Sequence, residues 1–270
     1  AGQASGPSQL RADIQRSAIL RRLNQVLPPS GPILNALARL DPLPSITGPS
    51  PDVAAPEPAI AHTAGVREAA RSVVRVDGTA CGLAIEGSGW VAAPDVVVTN
   101  AHVVAGESDT TVELDGQPPS LTAEAIAFDA THDLAVLHVR ELDLPALSFA
   151  AETPSGTPGA ILGYPENGPF DVQPGRIGRT QDVLTQNAYG EGPVTRLLTP
   201  LRGLVRPGNS GGPLVNVDGQ VLTTVFAATV GSQPHGGYGV ANETVASVLR
   251  EAEAHEREGV QVRTGPCTSG

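Results

Sequence analysis

The chain has 270 residues, 40 % of them apolar but only 3 % aromatic, and 17 basic against 28 acidic side chains give a formal charge of −11. An acidic excess leaves nothing to neutralise phosphates, and so few aromatic rings offer few stacking platforms, so nucleic acid is excluded as a partner. The apolar share is enough for the core of one large domain or two small ones, packed mainly by Val, Ala, Leu and Ile.

Residues 8–27 read as a helix capped by Ser8, with Leu10, Ile14, Leu20, Leu23 and Leu27 near helical spacing and Arg11, Arg16, Arg21 and Arg22 adding positive charge. Pro28-Pro29 ends it, and a shorter helical piece, Ile33 to Leu40, follows. The Pro- and Ser-rich stretch from Asp41 to Pro58 predicts a flexible linker, and a tether of this kind is open to proteolysis. A basic amphipathic helix in an acidic chain docks on the folded domain, lies against an anionic membrane, or does neither; the pattern leaves all three open. The chain contains no methionine, no run of 18 apolar residues and no leader pattern, so it reads as a soluble piece of something longer, with an anchor upstream left open.

From Val66 onward the pattern becomes short strands with turn signals. The first group is Val73 to Val76, Cys81 to Glu86, Gly89 to Ala92, Val96 to Asn100, Thr111 to Leu114, Leu121 to Phe128 and Leu134 to Val139. After a Pro-containing pause from Pro145 to Pro158 come Ala160 to Tyr164, Asp171 to Gln181, Val194 to Leu198, Pro213 to Val217, Gln220 to Ala228 and Tyr238 to Ala241, with Asp218-Gly219 as a two-residue hairpin signal. The predicted fold is all-β: two six-stranded antiparallel barrels, about 64–147 and 155–245, with an N-terminal helical extension over 1–60 and a terminal helix from Thr244 to Glu256.

Three motifs carry chemistry. Thr99-Asn100-Ala101-His102-Val103-Val104 places a histidine just after an apolar strand, Asp133-Leu134-Ala135-Val136-Leu137 places an acid just before one, and Gly208-Asn209-Ser210-Gly211-Gly212-Pro213-Leu214 sets a serine among glycines. Serine, imidazole and carboxylate are the parts of a nucleophile, its base and the group that orients the base, in the order His, Asp, Ser. Asp129, four residues ahead of Asp133, is the competing acid, and Ser88-Gly89 reads as a turn into a strand. His62, His132, His138, His235 and His255 lack comparable company and read as structural or solvent-facing. The dispersed His and Asp residues suggest no metal site, and no phosphate-binding glycine loop is present, so no cofactor is expected.

Together these motifs resemble the chymotrypsin-fold, HtrA/Deg-type serine proteases over roughly residues 64 to 245. Within that family the chain is similar to the membrane-anchored periplasmic branch without a PDZ module that serves in acid resistance. The resemblance implies a His102, Asp133, Ser210 triad and an oxyanion hole from the Gly208 and Ser210 amides, at rest formed or unformed. It implies a primary specificity pocket based on Leu204 with Phe226, Ala227 and Ala228 on one wall. No acid stands where a trypsin-like pocket would hold Lys or Arg, so an apolar P1 group is expected, although Arg202 and Arg206 beside it would favour an acidic or polar one. It also implies protein or peptide substrates, with a cell-wall hydrolase among them, self-cleavage in the linker, a periplasmic location with a membrane tether, and a role in acid and oxidative stress. A polypeptide-binding module on the same fold and an esterase are the competing functions.

Cys81 and Cys267 match no metal spacing. A bridge between them would close almost the whole domain, worth about 5 kcal/mol in the chain-entropy model, and would place the chain in an oxidising compartment. Two separate buried thiols are the alternative.

Overall fold

The computed structural model describes residues 45–46, 51–229, 235–258, 260 and 262–268. The helices expected over 8–27 and Ile33 to Leu40 lie outside the described residues.

Valine-rich segments close the first barrel, because β-branched side chains suit a pleated surface buried on its inner face. Its strands are β2 (Val73–Ala80), β3 (Leu83–Ala93), β4 (Val96–Thr99), β5 (Thr111–Leu114), β6 (Gln117–Asp129) and β7 (Leu134–Val139), paired in the order β2-β3-β4-β7-β6-β5 and closed on themselves. Val74, Val76, Val91, Val97, Val112 and Leu137 fill it. Two expected strands, Cys81 to Glu86 and Gly89 to Ala92, are one strand here. Cys81 (φ 50°) and Gly82 (φ 77°) instead form the two-residue turn of a hairpin in which Ala80 faces Leu83. Positive φ at both central residues gives the turn the twist that the flanking strands require.

The second barrel is built from β8 (Pro158–Gly163), β9 (Asp171–Ile177), β10 (Gln181–Thr185), β11 (Val194–Gly203), β12 (Pro213–Val215), β13 (Val221–Thr229) and β14 (Gly236–Ala241). Six of these close in the order β8-β9-β11-β14-β13-β12. The expected strand Asp171 to Gln181 is broken, because β9 and β10 lie in succession along one edge of β11, Ile177 facing Leu201 and Gln181 facing Leu198. The chain steps between them with the Gly178 amide on the Pro200 carbonyl, 2.6 Å. The Asp218-Gly219 signal also belongs to a longer loop: the Asn216 side chain accepts the amides of Asp218 and Gln220, and only Gly219 takes a positive φ. A short strand β1 (Ser45–Ile46) runs parallel to the end of β13 at Ala228 and Thr229.

Several elements tie the barrels together. Trp90 of β3 is fully buried, donates its indole N–H to Thr224 Oγ1 of β13 at 3.1 Å and meets Phe149 edge-on. Helix α1 (Ala64–Ala70) buries Val66 and Ala69. Beyond the tiny helix α2 (Ala101–Val104), helix α3 (Asn242–Glu258) leaves the second barrel and lays Val245, Val248 and Ala252 in a core shared with Ile126 and Val136 of the first. His255 bonds the Ile126 carbonyl and His138 bonds Glu256, so both histidines serve packing. The end of the expected linker is held rather than free: Arg202 Nη1 donates to the Val53 carbonyl at 2.6 Å, and Arg176 bonds Glu57 at 2.7 Å and the Ala55 carbonyl at 3.4 Å.

The tail returns to the first barrel. Cys81 and Cys267 form a disulfide with Cα atoms 6.1 Å apart, the Gly106 amide donates to the Thr264 carbonyl, and Thr264 Oγ1 donates to the Glu107 carbonyl. Gly106 has φ +75°, and a Cβ there would lie 2.4 Å from the Cys267 nitrogen, so glycine is required under the tail. Beneath this clasp the Glu107 carboxyl accepts Thr110 Oγ1 at 2.7 Å. Burial, assisted by Asp109 and Asp77, pushes it up to about 8.

Two outcomes follow from the clasp. Replacing both cysteines by serine is expected to lower stability by about 2–5 kcal/mol in urea denaturation, with reductant changing the parent protein but not the variant. Glu107 binds its proton more tightly folded than unfolded, so its contribution is complete below about 4.5 and is lost as pH rises through about 8. Melting temperatures measured across that window should therefore fall with pH in the parent, and Glu107→Gln should flatten the slope.

Candidate active site

A fully buried strand, β4, delivers the histidine. The chain leaves it at Asn100 in an extended conformation and turns into the four residues of α2. Asn100 Nδ2 donates to the Asp133 carbonyl at 2.7 Å, which pins this turn to the turn between β6 and β7. There Asp133 adopts φ 59°, a left-handed conformation that aspartate tolerates better than most residues. Its carboxylate consequently faces α2: Oδ1 accepts the His102 amide at 2.9 Å and Oδ2 accepts Nδ1–H of the His102 ring at 2.7 Å. Both side chains are 1 % exposed. With its proton committed to Asp133 through Nδ1, the neutral ring keeps a lone pair on Nε2.

The serine sits on a loop fixed from three sides. The Ser210 carbonyl accepts the Ser88 amide at 2.8 Å, the Gly211 amide donates to the Val225 carbonyl at 2.8 Å, and the Asn209 amide donates to the Arg206 carbonyl at 3.0 Å. Asn209 Oδ1 accepts the Arg206 amide in return, at 2.9 Å. Gly208 has φ +87°, and a Cβ on it would lie 2.3 Å from the Tyr164 carbonyl oxygen. Ser210 Oγ and His102 Nε2 are both buried, and among the described residues neither has a hydrogen-bond partner. Such bonds are commonly long in unliganded enzymes and tighten with substrate.

Three residues around the site belong to no functional motif of the sequence. Ser88 lies within β3, not at a turn: its hydroxyl donates to the Gly208 carbonyl at 2.6 Å and accepts the Tyr164 amide at 2.9 Å. Tyr164 is buried under Arg75, whose guanidinium carbon lies 5.1 Å from the ring centre; burial and Asp115 push its hydroxyl up to about 12. Arg196 of β11 is 3 % exposed, with Nη1 4.0 Å from Asp133 Oδ2 and its guanidinium 4.4 Å from the Phe226 ring centre. Burial pulls its guanidinium below the usual value, while Asp133 and Asp129 oppose that shift. Asp129, the competing acid, is taken by its neighbour His132 at 2.5 Å.

The expected pocket residues divide. Phe226 and Ala227 are fully buried on β13, Ala228 is half-buried, and Leu204 is 37 % exposed on the segment leading to the serine loop. The two arginines beside them are already engaged, Arg202 by the Val53 carbonyl and Arg206 by Asp171 and Glu166, so neither is a ready partner for an acidic group.

The family model of the trypsin-like peptidase domain matches residues 87–222. The serine protease Rv3671c of Mycobacterium tuberculosis is 36 % identical over 282 residues, an alignment that takes in 99 % of this chain and 69 % of that one. A probable periplasmic serine endoprotease of the DegP-like type from Halomonas elongata is 36 % identical over half of this chain and 28 % of its own length. The crystal structure of the active form of the Mycobacterium tuberculosis Rv3671c protease superposes with a TM-score of 0.74 at 36 % identity, covering 83 % of this chain and 98 % of that one.

Ser88→Ala would leave the Tyr164 amide and the Gly208 carbonyl without their partner in a dry interior, at about 1–3 kcal/mol for each orphaned group. The expected result is a loss of about 2–4 kcal/mol in chemical denaturation relative to the parent protein.

Proposed function

The chain belongs to the trypsin-like serine protease family, and from that premise we propose that it cleaves peptide bonds inside extracytoplasmic proteins through His102, Asp133 and Ser210. The observation that carries the reading is a buried imidazole whose Nδ1–H is held by Asp133, leaving Nε2 as an acceptor; Ser210 Oγ is buried as well. A base so arranged takes the hydroxyl proton as Ser210 attacks the carbonyl, then returns it to the leaving amine. Asp133 fixes the tautomer and stabilises the imidazolium. Water repeats the sequence on the acyl-enzyme.

Negative charge developing on the carbonyl oxygen needs donors, and we assign that role to the amides of Gly208 and Ser210. The positive φ of Gly208 and its contact with Tyr164 support this, since a side chain there would displace the peptide. Leu204, Phe226, Ala227 and Ala228 form the pocket in this reading, and the engagement of Arg202 and Arg206 favours an apolar P1 group. Similarity to periplasmic endoproteases and the Cys81–Cys267 disulfide support action outside the cytoplasm, with a membrane tether preceding the basic segment. Cleavage of the protein's own linker, a cell-wall hydrolase as substrate, and service in acid and oxidative stress complete the proposal.

Mass spectrometry after exposure to a fluorophosphonate should show one adduct, on Ser210, and none in Ser210→Ala. Gly208→Ala should slow that reaction about 100-fold or more, the scale of one lost oxyanion donor. An unmodified parent protein at neutral pH would refute the catalytic reading.

A further inference from the structure

Arg196 is a buried cation that the catalytic scheme above does not use. It projects from β11 of the second barrel, whereas Asp133 and Asp129, the charged groups it faces, belong to the first. Its Nη1 reaches to 4.0 Å from Asp133 Oδ2, the oxygen that holds His102 Nδ1. Nη2 lies 3.5 Å from Thr185 Oγ1 of β10, and the guanidinium carbon lies over the Phe226 ring of β13, 4.4 Å from its centre. Neither Nε nor Nη1 has a hydrogen-bond partner among the described residues. A guanidinium in that position gives up hydration and receives a stacking surface and the field of two carboxylates in return, one bonded to His102 and the other to His132.

We propose that Arg196 is a positioning residue of the hydrolytic centre, which acts through Asp133 to keep His102 available as a base at lower pH. The inference rests on the His102, Asp133, Ser210 reading. A fixed positive charge behind the carboxylate favours its ionised form and opposes a second positive charge on the imidazole in front of it. The repulsion sets the direction at Nε2, while the ionised carboxylate keeps Nδ1–H in place. The proton that would silence Nε2 arrives at a lower pH than it would without Arg196, and Asp133 stays an acceptor for Nδ1–H. Contact with Phe226 ties the cation to the strand proposed to line the substrate pocket, so the arginine is locked by packing and cannot swing to solvent.

The test needs no knowledge of the natural substrate. The second-order rate of Ser210 modification by a fluorophosphonate is measured from pH 4.5 to 9 for the parent, Arg196→Met and Arg196→Lys, with Ser210→Ala as the blank. Arg196→Met keeps a long apolar stem over Phe226 and removes the charge. Its acid limb should move to higher pH by about one unit, which is about a tenfold lower rate on that limb, with the plateau changed far less. Arg196→Lys should move the limb by less than half as much. Parallel profiles for parent and Arg196→Met would overturn the proposal, as would equal shifts in both variants, because shape rather than charge would then be responsible. Should Arg196→Met fail to fold, the neutral Arg196→Gln is read by the same criteria. Failure of the parent to label at Ser210 is a different result: it overturns the triad reading itself.

Discussion

Ser88 is where the two barrels become one machine. Its amide holds the Ser210 carbonyl, while its hydroxyl takes the Tyr164 amide and gives its proton to the Gly208 carbonyl, so one residue of the first barrel fixes both ends of the serine loop. All of these groups are enclosed, and a buried polar group without a partner costs more than a made hydrogen bond returns. The loop therefore has little freedom to choose another shape, and its glycines are demanded by contact: a Cβ on Gly211 would sit 2.1 Å from the Ser88 carbonyl. Trp90, two residues along the same strand, adds the indole bond to Thr224, which keeps β3 and β13 at fixed separation. The loop that carries Ser210 is thus held in place by a strand from the other half of the molecule.

Charge placement follows a related logic. A protein with a strong acidic excess has buried cations beside its carboxylates: Arg196 behind Asp133, Arg176 against Glu57 and Arg75 beside Glu113. Glu107 does not follow it: its carboxyl lies under the clasp with Asp109 and Asp77, also acids, as neighbours. In its protonated form it is an ordinary hydrogen-bonding group in a dry place. The two buried features point the same way, since an acid medium relieves the strain at Glu107 while Arg196 preserves the base.

Much of this was written in local patterns. The strands and the terminal helix follow from periodicity, the His, Asp, Ser order is read directly from the motifs, and the closed pair of barrels is what the resemblance to HtrA/Deg-type proteases implied. The choice of Asp133 over Asp129 was legible because it stands immediately before its strand, and the structure gives Asp129 to His132. Strand boundaries were less legible. Cys81-Gly82 is a turn although cysteine is no turn former: both residues take positive φ there, and the tail reaches Cys81 at this exposed corner. The break after Ile177 has no local signal, because it arises from two strands sharing one edge of β11. Ser88, Tyr164 and Arg196 were silent for the same reason: their partners come from distant segments, and nothing within a few residues of any of them forecasts the contact.

The disulfide has a topological consequence. Because it joins Cys81 to Cys267, everything between them is a covalent ring, and His102, Asp133 and Ser210, the proposed hydrolytic centre, all lie within it. A single cut inside the ring opens a loop but releases no fragment, and the barrels stay attached through sulfur. A cut before Cys81 lies outside the ring and severs the covalent link to what precedes it, leaving α1, β2 and the segment held by Arg176 and Arg202 to packing alone. The fold therefore sorts cuts by position: those inside the ring leave one molecule until a reductant arrives, and those ahead of it divide the chain in two.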